Sequence, residues 1–186
     1  MGFETTPIKD LLIYTPRVFR DERGYFFESY NEETFKQEGI TTRFVQDNQS
    51  FSRKGVLRGL HFQRPPFPQA KLVRVIKGAI WDVAVDLRTT SPTYKQWFGI
   101  ELSDNNFKQL YIPRGFAHGF VVLSDEAIVA YKTDNFYHPE ADGGIRYNDP
   151  AIGINWPFPI DENNLSPKDK NLPFLDAIGS IFGDEL

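Results

Sequence analysis

The sequence predicts an all-β chain folded as an antiparallel sandwich or barrel, and three observations carry that prediction. Short apolar or alternating runs follow one another from Gly24 to Phe136, each closed by a turn signal. The 17 Phe and 8 Tyr, set among 13 Pro, favour strands, turns and aromatic-lined pockets over helices. Ahead of the C-terminal segment, a single stretch reads as a good helix. Short strands with regular turns and almost no helix belong to sandwich and barrel architectures.

The elements follow in order. "GYFFESY" (Gly24 to Tyr30) opens the strand series. "NEETFKQEG" (Asn31 to Gly39) is the helix: Asn31 caps it, Glu32 and Glu33 suit its positive first turn, and Gly39 ends it. Strands are then expected in "TRFVQDNQSFS", "VLRGLHFQ", "KLVRVIKG", "AIWDVAVDLR", "QWFGIELS", "FKQLYIP", "AHGFVVL" and "EAIVAYKTDNF". The turns between them fall at Arg53-Lys54-Gly55, Arg64 to Pro68, Lys77-Gly78, Ser91-Pro92, Asp104 to Asn106 and Pro113 to Gly115. From about Pro150 the chain becomes rich in Pro, Asn and Asp, and residues 150–186 are expected to wrap the barrel as a tail. Within them "FLDAIGSIFGDEL" offers a short docking helix. The 186 residues fit one domain with such a tail.

Composition excludes several classes. The net charge of −4 does not favour a nucleic-acid duplex, so an anionic ligand needs a local cluster of Arg and Lys. The absence of cysteine rules out disulfides, thiolate metal sites and a cysteine nucleophile, and fits a cytoplasmic protein. No apolar run is long enough to span a bilayer, and the N-terminus lacks the pattern of a secretion signal.

The chemistry centres on "VLRGLHFQ" (Val56 to Gln63), which holds one of only three histidines. Strict alternation puts Leu57, Gly59, His61 and Gln63 on one face and Arg58, Leu60 and Phe62 on the other. Gly59 is the residue type found where a ligand or another backbone comes close. A second histidine, His118, follows the Pro-x-Gly turn of "IPRGFAHGF". Together the two stretches resemble the paired motifs of cupin jelly rolls, but the metal set is broken. Gln63 stands where a metal-binding cupin has its second His, and "RPPFPQ" lacks the downstream Glu. Two imidazoles alone make a weak metal site, so no metal is expected and His61 reads as a proton carrier. A histidine base beside a ketone needs a carboxylate on its other ring nitrogen, a cation or donors for the enolate oxygen, and an acid on the opposite face. Lys71, Asp82, Tyr131 and Asp169 are candidates. Each also has a plain reading: a strand-end lysine, a paired buried charge, a packed tyrosine and a loop charge. Spacing alone does not assemble them.

Taken in order, "DERGYFFESY", "FVQDNQSFSRKGVLRGLHFQ", "KLVRVIKGAIWDVAVDLR", "YIPRGFAHGFVVL", "YKTDNFYHPEADGGIRYNDP", "INWP" and "LSPKD" resemble the dTDP-4-dehydrorhamnose 3,5-epimerase family from about residue 7 to residue 170. The resemblance implies a cupin-type jelly roll acting as a homodimer without a cofactor. Its substrate would be dTDP-4-dehydro-6-deoxy-D-glucose, inverted at carbons 3 and 5 to dTDP-4-dehydro-L-rhamnose. It also implies roles. His61 is the base and Asp169 its carboxylate partner. Lys71 is the cation near the enolate oxygen, and Tyr131 is the acid on the other face. Arg23 and Glu28 contact the nucleotide, and Gln46, Asp47 and Asn48 lie beside the substrate. Arg58 and His118 sit near diphosphate and sugar, Tyr137 stacks on thymine, and Lys168 contacts phosphate. Asp142 falls where the family usually has Glu. A sibling enzyme inverting one centre only, or a ketoisomerase, is the alternative on the same fold. For Arg58 and His61 to reach one ligand, the strand needs a bulge at Gly59 or a site at the barrel rim.

Overall fold

The computed structural model describes residues 2–183. Its strands are β1 (Gly2–Thr5), β2 (Leu12–Thr15), β3 (Val18–Asp21), β4 (Gly24–Phe27), β5 (Gln46–Arg53), β6 (Leu57–Gln63), β7 (Lys71–Lys77), β8 (Ala79–Asp86), β9 (Trp97–Ser103), β10 (Gln109–Ile112), β11 (Phe116–Val122), β12 (Glu126–Thr133) and β13 (Asp142–Gly144). The helices are α1 (Glu32–Gln37), α2 (Pro167–Lys170) and α3 (Leu175–Ile178). One sheet has the order β1-β2-β10-β7-β12-β5, the other β13-β6-β11-β8-β9, and β3 and β4 form a separate hairpin. All these pairings are antiparallel, giving the expected jelly-roll sandwich. Among the described residues no helix is long and apolar enough to cross a membrane.

Three apolar layers hold the sandwich. Between the sheets, Val73, Val75 and Val129 meet Ile80, Ala84, Leu102, Phe116, Phe120 and Val122. Each fully buried side chain of this kind contributes about 1.5–3 kcal/mol. The outer face of the five-stranded sheet presents Leu60, Phe62, Val83 and Val85, which are covered by Ile145, Ile152, Leu175 and Phe182. Leu57 and Val121 on the same face meet Tyr147 and Leu165. The segment after β13 therefore lies across this face, and Leu175 of α3 is one of its anchors. Phe35 of α1 covers part of the other sheet, against Tyr14, Leu72 and Tyr111.

Local sequence explains the ends of the elements. The Asn31 side chain accepts the N–H groups of Glu33 (2.9 Å) and Thr34 (3.4 Å), capping α1 as expected. β5 begins at Gln46 rather than Thr42, because its partner β12 ends opposite it, in the pair Thr133↔Gln46. The short strands β1, β2, β3 and β13 went unread in the sequence; each has four residues or fewer, too few to establish a period.

The departure at β6 shapes the site. In its ladder with β11, His61 pairs with His118 and Arg58 with Phe120, so three steps on β6 match two on β11. This is a one-residue bulge, and Gly59 with φ +131° lies within it. The alternation is corrected accordingly. Leu57, Leu60 and Phe62 share the outer face, while Arg58, His61 and Gln63 all line the cleft. Gly59 makes room for backbone rather than for a ligand: a Cβ on it would lie 2.5 Å from Gly119 Cα and 2.9 Å from the His118 carbonyl oxygen.

Candidate active site

A cleft of about 210 Å³ opens between the two sheets. β6 and β11 give it Arg58, His61 and His118 from one sheet. β7, β12 and β5 give it Lys71, Tyr131, Gln46, Asn48 and Ser50 from the other. Tyr137 and Asp142 stand at its edge.

His61 is bonded through Nε2 to Asp169 Oδ1 at 2.6 Å, a pairing across 108 positions of sequence. The carboxylate is nearly inaccessible, whereas the ring is about a third exposed, with side-chain accessibilities of 3% and 32%. Asp169 sits in α2, where Ser166 caps the helix by accepting the Asp169 N–H at 3.1 Å. Burial pushes the Asp169 carboxyl upward. The bond and charge of His61, the Ser166 hydroxyl and the Gly59 N–H outweigh that and hold it below the usual carboxylate range. With Nε2 turned to the carboxylate, Nδ1 is left as the basic atom.

Lys71 is buried at 8% exposure, so it is not a solvated strand-end lysine. Its Nζ donates to the His61 carbonyl at 3.5 Å and lies 6.0 Å from the centre of the Tyr131 ring. Burial lowers its pKa to about 8, against the opposing pull of the Asp82 and Asp142 charges. Tyr131 is pushed upward, mainly by burial and further by Asp142, with Arg58 opposing, so its phenol keeps its proton at neutral pH. A carboxylate-backed histidine on one sheet thus faces a phenol on the other, with a buried cation alongside.

A second such pair lies deeper. His118 Nε2 meets Asp82 Oδ1 at 2.7 Å, and Asp82 is fully buried. Burial lowers the His118 pKa despite that partner, which leaves the ring neutral. Gln63 is fully engaged with backbone: Nε2 donates to the carbonyls of Phe67 (2.8 Å) and Phe136 (3.0 Å), and Oε1 accepts the His138 N–H (2.6 Å). Among the described residues no three His, Cys, Asp or Glu side chains converge as a metal ligand set.

The remaining expected residues divide. Gln46 and Asn48 line the cleft, joined by a 2.9 Å bond, and Gln46 Oε1 accepts the Tyr137 N–H at 3.1 Å. The Tyr137 hydroxyl donates to Asp142, which also pairs with Lys168 at the edge of the cleft. Arg58 is steadied by Ser52 Oγ at 2.9 Å. Asp47 is a correction. It points to the opposite side of β5, where it pairs with Lys132 at 2.9 Å and lines a separate groove with Arg74 and Ser29, because neighbours on a strand face opposite ways. Arg23 and Glu28 are not brought to the cleft. Arg23 is 89% exposed at its side chain and pairs with Asp21. The hairpin that carries it packs through Tyr25 and Phe27 on Phe107, and Glu28, just past its end, is exposed. Ser50, Gln69 and Phe120 line the cleft and were missed. Ser50 shares the parity of Gln46 and Asn48, so alternation alone would have found it.

A family model described as dTDP-4-dehydrorhamnose 3,5-epimerase matches residues 5–177. A dTDP-4-dehydrorhamnose 3,5-epimerase from Methanothermobacter thermautotrophicus is 56% identical over 170 residues, which is 91% of each chain. One from Salmonella typhimurium is 56% identical over 172 residues, covering 92% of this chain and 93% of the relative. Among solved structures, a dTDP-6-deoxy-D-glucose-3,5-epimerase from Legionella pneumophila Philadelphia 1, in complex with dTDP-4-keto-L-rhamnose, is 46% identical. It superposes with a TM-score of 0.93 over 100% of this chain and 99% of its own.

Proposed function

The chain belongs to the dTDP-4-dehydrorhamnose 3,5-epimerase family, and on that premise we propose that His61, Asp169, Lys71 and Tyr131 carry out its reaction. The enzyme is an isomerase: it inverts carbons 3 and 5 of dTDP-4-dehydro-6-deoxy-D-glucose to give dTDP-4-dehydro-L-rhamnose. Both carbons flank the 4-keto group, so both carry acidified hydrogens. His61 Nδ1 takes the proton, the C–H electron pair becomes the enolate double bond, and negative charge gathers on the keto oxygen. Asp169 stabilises the imidazolium through Nε2. The Lys71 ammonium stabilises the enolate oxygen, the kind of charge compensation that dominates many enzyme sites. The Tyr131 hydroxyl returns a proton to the opposite face; the phenolate then regains a proton from solvent and the His61 imidazolium releases its own to solvent, which resets both groups for the second carbon. The observation that carries this assignment is the placement of His61 and Tyr131 on opposite sheets of one cleft.

The sugar nucleotide's two phosphates meet Arg58, whose paired donors match them. Lys168 reaches them when it leaves Asp142. Tyr137, 54% exposed at the cleft edge, offers its face to thymine. Arg23 and Glu28 act from a second copy of the chain in a homodimer. That reading is supported by the exposure of the hairpin, with Phe26 at 70% and Tyr25 at 54%, and of Phe51 at 53%, an apolar surface that a partner would cover. In this reading the enzyme works in the cytoplasm on a soluble nucleotide sugar. Incubation with the substrate in deuterated water tests the reaction: deuterium enters carbons 3 and 5. Label at neither carbon overturns the assignment, and label at one alone selects a single-site epimerase.

A further inference from the structure

Asp82 takes no part in the scheme above, yet it is a fully buried charge set behind His118, which lines the cleft. It lies in the middle of β8, fully inaccessible, with one oxygen on His118 and the other, Oδ2, without a hydrogen-bond partner among the described residues. An unmatched carboxylate oxygen in a core is costly, and a side chain placed only for packing would not be an acid. Three groups surround the site. His118 and Lys71 both line the cleft, on opposite sheets, and His61 is the cross-strand partner of His118. The Asp82 charge acts on both His118 and Lys71.

We propose that Asp82 is a positioning residue for the epimerisation: it holds the Nε2–H of His118 so that Nδ1 accepts a hydroxyl of the keto sugar, and its second oxygen lends negative charge to the Lys71 end of the cleft. This deepens the reading of the site given above and rests on it. A histidine whose Nε2 proton is given to a carboxylate is locked in one tautomer, as metal and triad histidines are by their outer partners. Among the described residues His118 Nδ1 makes no hydrogen bond within the protein, and the ring lines the cleft, so an acceptor is presented there. The other charges that bear on Lys71 are Asp142 and Lys168, and those that bear on His118 are Lys71 and His61. Of these, Asp82 is the one acid acting on both.

Two measurements test the proposal. In the wild-type chain, nitrogen-15 NMR of labelled histidine reads the tautomer directly, and three histidines make assignment simple. His118 is expected as the Nε2–H form; an Nδ1–H form overturns the proposal whatever any variant does. The second measurement is Asp82→Asn, followed by deuterium exchange into substrate and by binding of dTDP alone. The expected result is unchanged dTDP affinity and a kcat for exchange lower by about 10- to 100-fold, the usual effect of losing an outer partner. The alkaline limb of the pH profile should also move to lower pH, since Lys71 loses a stabilising anion. Wild-type kcat and an unmoved limb would reduce Asp82 to a structural role. If Asp82→Asn does not fold, the wild-type spectrum still decides. If the wild-type chain itself shows no exchange, the proposed reaction fails, while the tautomer still judges Asp82.

Discussion

A histidine is only as good a base as the atoms that hold it. Asp169 occupies Nε2 of His61, which in the proposed reaction leaves Nδ1 to meet the substrate hydrogen. His61→Asn should therefore bind dTDP normally and exchange substrate protons about 100- to 10,000-fold more slowly, the range for a general acid or base; wild-type exchange would remove His61 from its role. Lys71 gives a prediction with two opposite signs. Its pKa of about 8 lies below the ordinary 10.5 because burial disfavours the ammonium. If the ammonium serves the enolate, the exchange rate falls as pH rises through about 8. For stability, both folded and unfolded states hold the proton below that pH, and the cost of burying the charge is fully felt. Between there and 10.5 the unfolded state binds more protons, so this contribution to stability rises with pH. Urea melts across that window should show the rise in the wild type and lose it in Lys71→Met, while rate profiles fall over the same range.

At the level of elements, the bulge in β6 matters most. Gly59→Ala would force a Cβ to within 2.5 Å of Gly119 Cα at a φ of +131°. A cost of about 1–3 kcal/mol is expected from overpacking and strain of this kind. Thermal melts should show it, and exchange should fall further than stability alone explains, because Arg58 and His61 share the cleft only through the bulge. This also explains what the sequence made legible and what it hid. The paired motifs singled out His61 in β6, the family resemblance singled out Gln46 and Asn48 in β5, and the polar run of Asn31 to Glu33 located α1. Alternation failed for Arg58, because a bulge is one residue of backbone with no periodic signature. Asp47 was carried along with its neighbours as a block, although strand parity sends it to the other side. Asp169 looked like a loop charge because its partner lies 108 positions away, beyond the reach of any local pattern. His118 and Asp82 belong to strands that become neighbours only when the sheet forms.

For the whole molecule, the question is what a second copy supplies. If Arg23 serves the partner's cleft, a preparation of Arg23→Ala alone and one of His61→Asn alone should both be weak. After co-refolding, mixed dimers contain one cleft with both defects and one with neither, so activity returns. Were Arg23 to act within its own protomer, no mixture would recover. Sedimentation of the wild type should show the dimer directly. The tail has its own consequence, which concerns the order in which the molecule is made. The two sheets supply their cleft walls once β12 has been synthesised, yet Tyr137 and Asp142 at the edge, and the carboxylate that pairs with His61, come later in the chain, the last of them with α2. A nascent chain that has made only its two sheets holds His61 without its carboxylate. Cleavage between β13 and α2 would divide the protein at the same seam, into a ligand-holding body and a short activating peptide, and mixing the two pieces would be a switch controlled by their concentration.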